Sequence, residues 1–169
     1  MATQNRNLSD NQQRTYKDAA NWKIGILTAD WNPDITHALR DAAIDSLNKA
    51  GIKNTNIISK SVPGSFELVS GAKMMAEQTS VNAVICLGCI IQGETRHFDF
   101  VAAGVTDGLR ELNIRYNIPF IFGVLTTNNQ QQALDRAGGK HGNKGSEAAA
   151  AALHMIQLNK ELLLSFENN

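Results

Sequence analysis

Three loops of the sequence hold side chains that could do chemistry together. Residues 88–100 read GCIIQGETRHFDF, an apolar run ending in Gln-Gly-Glu-Thr and followed at once by an arginine, a histidine and two phenylalanines. Glycine frees the backbone there, Thr95 offers a hydroxyl, and a helix starting after it would present unsatisfied N–H groups with a favourable dipole, a combination suited to a phosphate. His97 beside such an anion could exchange protons near neutral pH; a purely structural histidine is the competing reading. Asp99, two residues on, either orients that imidazole or simply favours the dipole. In the second loop, Pro63-Gly64-Ser65-Phe66-Glu67, Ser65 reads as a helix N-cap, and the free amides beside it could hold a polar ligand edge. In the third, Ala29-Asp30-Trp31-Asn32, the indole precedes the helix-start pair Asn32-Pro33 and could stack on a flat heterocycle, unless it packs into the core.

Two further clusters need weighing. Residues 135–147 (DRAGGKHGNKGSE) bring Arg136, Lys140, His141 and Lys144 among four glycines. The spacing is not that of a Walker loop. It reads either as a glycine-rich break between helices or as an anion clamp in which Arg136 binds phosphate bidentately; the spacing does not say which loop it faces. Cys86 and Cys89 form a C-x-x-C, which can signal redox or zinc chemistry. Here it lies within VNAVICLGCII, a buried strand by composition, where residues three apart face opposite sides, so a structural role is favoured.

The elements that must position these loops follow from hydrophobic period. Short β-branched runs at Lys23–Thr28, Asn56–Val62, Asn82–Ile91 and Pro119–Thr126 predict strands, several of them apolar on successive residues as in parallel sheets covered on both faces. Helices are expected at Pro33–Ala50 (closed by Gly51), Gly64–Gln78, Phe98–Tyr116, Gln130–Ala137 and about Ser146–Ser165. Alternation of this kind predicts an α/β fold, a doubly wound, mostly parallel four-stranded sheet with helices on both faces and its ligand site at the carboxyl ends of the strands. Residues 1–21 are polar and aperiodic and read as a flexible N-terminal arm, leaving 22–169 as one domain.

Composition limits the partners. Of 169 residues, 16 are basic and 16 acidic, so no global field recruits nucleic acid or an anionic membrane and any anion must be held locally. No apolar run approaches the roughly 20 residues that span a bilayer, and the first 21 residues lack the apolar stretch of a signal peptide, which together predict a cytoplasmic location.

In this order, VPGSFEL, LGCIIQGETRHFDFV and PFIFGVLTTNNQQQALDRAGGKHGNKGSEAA resemble the signature blocks of the lumazine synthase family, from about Trp22 to the final helix. The resemblance implies a flavodoxin-like three-layer sandwich and a transferase of riboflavin biosynthesis that uses no cofactor and no metal. Its small-molecule substrates would be 5-amino-6-(D-ribitylamino)uracil and 3,4-dihydroxy-2-butanone 4-phosphate. By motif, Trp31 would stack on the pyrimidine, Ser65, Phe66 and Glu67 would contact the ribityl chain, and Cys89, Ile90 and Ile91 would line the pyrimidine side. Glu94 and Thr95 would form the phosphate loop with Arg136 as its cationic ligand, His97 would transfer protons, and Phe122 would be supplied to a neighbouring subunit. It also implies homopentamers and, from the short Gly138–Gly142 turn, an icosahedral capsid of sixty subunits. The chain departs from the common pattern at Gln92 (often basic), Arg96 (often small or proline) and Val69 (often proline). A non-catalytic flavin- or lumazine-binding module of the same fold is the rival reading, disfavoured because a passive ring-binder needs neither His97 nor Arg136.

Overall fold

A computed structural model describes Tyr16 and residues 18–167. Four strands, β1 (Ile24–Ala29), β2 (Ile57–Val62), β3 (Ala83–Ile91) and β4 (Phe120–Thr127), pair in the order β2-β1-β3-β4, every pairing parallel. Parallel neighbours need crossovers, and the helices α1 (Pro33–Lys49), α2 (Leu68–Gln78) and α3 (His97–Arg115) supply them. The inner strands β1 and β3 are buried almost end to end, which explains why their sequences are apolar on consecutive residues instead of alternating.

Two cores flank the sheet. On one face Ile24, Ile26, Ile85 and Leu87 pack against Leu39 and Leu47 of α1 and Ala149, Leu153 and Ile156 of the last helix, α5 (Lys144–Glu167). On the other, Leu27, Val84 and Cys86 meet Leu68 and Ala72 of α2 and Val105 and Leu109 of α3. Helix, sheet and helix thus form three layers, as expected. Cys86 and Cys89 fall into opposite cores, both as free thiols, so the C-x-x-C is wall material.

The chain leaves β1 toward β2 on one side and β3 toward β4 on the other. The sheet therefore reverses direction between β1 and β3, and a crevice opens beyond their carboxyl ends. Gly51 closes α1 at φ 97°, the left-handed conformation expected of a C′ glycine.

Three local expectations fail for identifiable reasons. The second helix begins at Leu68 and not Gly64, because Ser65 turns inward against β3 and is buried instead of capping; the residue at the N-cap position is Glu67, without a side-chain cap bond. The glycine-rich break contains a short antiparallel hairpin, β5 (Ala137–Gly139) and β6 (Gly142–Asn143), preceded by α4 (Gln130–Asp135). Its last helix starts at Lys144, two residues early, because the Asn143 side chain accepts from the Gly145 N–H at 2.8 Å. Most of the predicted arm lies outside the described residues; Ala19–Asn21 form a 3₁₀ turn in which Ala19 is buried.

Candidate active site

The crevice holds a cavity of about 670 Å³, within the range that suits a small organic ligand. Trp31 leaves the end of β1 with 72% of its surface exposed, so the core does not claim it. Cys89, Ile90 and Ile91 line the cavity from the end of β3, Ser65, Phe66 and Glu67 from the turn after β2, and Thr95 and His97 from the start of α3. A flat ring could be held between indole and the apolar end of β3, with polar groups left at the rim.

Ser65 is 6% exposed, and its hydroxyl has no hydrogen-bond partner among the described residues. A buried hydroxyl left unpaired costs about 1–3 kcal/mol, so a polar ligand group reaching it would recover that cost. Gly88 makes the placement possible, since a Cβ there would lie 2.6 Å from Ser65 Oγ. The glycine inside the β-branched run of β3 was the available sequence signal for such a close approach.

Thr95 Oγ accepts a 3.4 Å bond from the His97 N–H at the first residue of α3. The His97 imidazole is exposed and bonded to nothing among the described residues. Asp99 does not orient it; its carboxylate pairs with Arg96 at 3.5 Å, where it also favours the helix dipole. Arg96 points to solvent, with 83% of its side chain exposed. Gly93 needs no special backbone, because its φ is not left-handed and an added Cβ would meet nothing within 4 Å.

Three residues matched by motif do not line this cavity. Glu94 is exposed beside it. Phe122 pairs with Cys86 in β4 and is half-buried on the α2–α3 face. Arg136 ends α4, and its guanidinium bonds Glu147 of α5 at 2.8 Å and the His141 carbonyl. Only 5% of the Glu147 side chain is exposed, and Lys144 reaches it at 3.4 Å. The cluster thus holds two cations against one buried carboxylate, leaving a net positive charge.

Sequence reasoning missed Asn32, Phe98, Phe100 and Val101, all of which line the cavity. Phe100 is 69% exposed and stands off the helical face formed by Val105, Leu109 and Leu112. Burial holds both thiols of β3 neutral, pushing Cys89, which lines the cavity, up to about 11 and Cys86, in the core behind it, up to about 12. Among the described residues no group of histidine, cysteine or carboxylate side chains could hold a metal, and no helix is long and apolar enough to cross a membrane.

Comparison with known proteins bears on this geometry. A family model described as 6,7-dimethyl-8-ribityllumazine synthase matches residues 21–160. Proteins of that same name from three bacteria are similar to this chain. The one from Parabacteroides distasonis is 53% identical over 92% of this chain and 98% of its own length. The Flavobacterium johnsoniae protein is 48% identical over 100% and 89%, and the Cytophaga hutchinsonii protein 57% identical over 79% and 84%.

Proposed function

The chain belongs to the 6,7-dimethyl-8-ribityllumazine synthase family, and from that premise we propose how its residues carry out the reaction. It is a transferase of riboflavin biosynthesis that condenses 5-amino-6-(D-ribitylamino)uracil with 3,4-dihydroxy-2-butanone 4-phosphate, releasing inorganic phosphate and water. The observation that carries our reading of the site is the exposed Trp31 across from the apolar end of β3, with Thr95 and His97 at the far rim.

The pyrimidine lies between Trp31 and Cys89, Ile90 and Ile91, where stacking and burial hold it without charge. Its ribityl hydroxyls reach Ser65, whose unpaired hydroxyl supplies one partner, and the Glu67 carboxylate, with Phe66 walling the channel. The phosphate of the second substrate sits at the start of α3, held by Thr95 and first-turn amides, with Glu94 shaping the loop. The 5-amino group attacks the ketone and one water leaves as the Schiff base forms. Phosphate departs by elimination, the resulting enol tautomerises to a second carbonyl, and attack of the ribitylamino nitrogen on that carbonyl expels a second water as the ring closes. Each step moves a proton, and His97, with an unengaged imidazole, serves as the shuttle. Holding both substrates in reacting geometry supplies much of the acceleration.

Arg136 and Phe122 lie away from the cavity of their own chain. We assign them to the cavity of an adjacent copy, Arg136 to its phosphate and Phe122 to its pyrimidine. That makes the working enzyme a homo-oligomer, a pentamer in our reading, and the short β5–β6 turn favours the sixty-subunit shell. We place it in the cytoplasm, with residues 22–169 as one domain.

Mixing the purified protein with both substrates while following product absorbance and phosphate release tests the reading. No rate above the spontaneous background would refute it. Sedimentation showing a monomer at working concentrations would refute the shared site, and a free pentamer would refute the shell.

A further inference from the structure

Asn32 stands at the N-cap of α1, where an asparagine side chain ordinarily accepts a bond from a first-turn amide in extended backbone. Here it does neither. Its backbone is left-handed at φ 60° and ψ 57°, and its side chain makes no cap bond. The backbone carbonyl alone starts the helix, accepting from the Ile35 and Thr36 amides at 3.0 Å. The side-chain Nδ2 instead donates to the Cys89 carbonyl at 3.0 Å, 57 residues away.

The place of that bond matters. Pairing of β1 with β3 ends at Thr28 and Leu87, so Cys89 lies two residues beyond the last β1 partner. Trp31, immediately before Asn32, is almost free of packing, yet must hold a fixed height above Cys89, Ile90 and Ile91. The Asn32 amide is the side-chain bond that ties the tryptophan loop to the end of β3. Asparagine also tolerates the left-handed backbone that turns the chain from strand to helix there.

We infer that Asn32 is a positioning residue for the pyrimidine substrate: bonded to Cys89, it sets the gap between the indole and the opposite wall. This rests on the proposed condensation. Asn32→Gly and Asn32→Asp both keep a left-handed residue, so both variants are expected to fold. The glycine loses the tie, and the aspartate sets a carboxylate against the Cys89 carbonyl. Loss of one hydrogen bond predicts a rise of roughly 3- to 10-fold in the KM for the pyrimidine. The KM for the phosphorylated butanone and the thermal midpoint are expected to stay near wild type.

A second readout does not depend on turnover. Trp22 is buried, so the fast component of tryptophan anisotropy decay reports Trp31, and its amplitude is expected to grow in both variants. Unchanged amplitude overturns the inference even if KM moves, since that pattern means direct contact with substrate. An equal rise in both KM values overturns it too, as a general structural effect. A wild-type protein without condensing activity defeats the reading of the reaction, while the anisotropy still decides whether Asn32 holds Trp31.

Discussion

Replacing Gly145 with alanine puts the contact between α1 and α5 to a quantitative test. A Cβ at position 145 would lie 1.8 Å from the Leu39 carbonyl oxygen and 2.6 Å from its carbon. Ordinary contact needs about 3.5 Å, so the two helices must part by roughly 1.5 Å. Leu39 is fully buried in mid-helix, and its carbonyl cannot swing aside as a flexible side chain would. Overpacking ordinarily costs about 1–3 kcal/mol, and the rigid neighbour argues for the upper end. Better helix propensity offsets at most about 1 kcal/mol, less in a first turn. The net loss is about 2 kcal/mol, or a fall of roughly 4–8 °C in the thermal midpoint of a chain this size. Calorimetry and urea denaturation at one fixed protein concentration would measure it. The same displacement shifts α1 under Trp31, so the KM for the pyrimidine is expected to rise as well. Gly93→Ala is the control, expected to leave the midpoint unchanged because its Cβ meets nothing. A Gly145→Ala midpoint within 1 °C of wild type would refute the packing argument.

Four other outcomes can be checked. Trp31→Ala is expected to leave folding nearly intact, since the ring is 72% exposed, while raising the KM for the pyrimidine roughly 10-fold; an unchanged KM would remove the stacking role. His97→Asn is expected to lower kcat by about 10²-fold without abolishing it, and full kcat would eliminate the proton shuttle. Arg136→Ala strands the buried Glu147 with Lys144 alone and is expected to cost about 1–3 kcal/mol of stability. Adding Glu147→Gln should restore the midpoint but not the KM for the phosphorylated substrate; recovery of both would show a structural arginine only. The two thiols are held neutral by burial, so stability should decline once pH passes 9, where the unfolded chain ionises them, toward the folded values near 11 and 12. Alkylation of native protein at neutral pH within minutes would contradict that burial.

Strand and helix positions were legible because parallel strands buried on both faces must be apolar on consecutive residues, and β1 and β3 are. The site was legible where a residue type has few structural uses: a tryptophan in a loop, a histidine after a glycine-rich turn. It was illegible where one residue type serves two ends. Asn32 before a proline announced a helix cap, and only the fold brings Cys89 within its reach. Ser65 carried the same ambiguity, since inward burial beside Gly88 and a capping bond demand the same small hydroxyl. Phe100 falls off the helical face that carries Val105, Leu109 and Leu112, so the period marks it as outward, but only the fold shows that this outward face borders the crevice. For Arg136, the chain could not reveal that a buried glutamate eleven residues on would hold it.

At the far edge of the sheet, Lys160 of α5 lies over the Trp22 ring at 5.2 Å, and Tyr16 meets the same ring edge-on at 5.8 Å. Trp22 sits two residues ahead of β1, so this contact gathers the beginning and the end of the described chain at the amino edge of the sheet. The cavity opens at the carboxyl edge. A label carried on Tyr16 or Lys160 would therefore sit away from the mouth through which substrates enter, and labels on both would lie side by side. The fold separates its handles from its door.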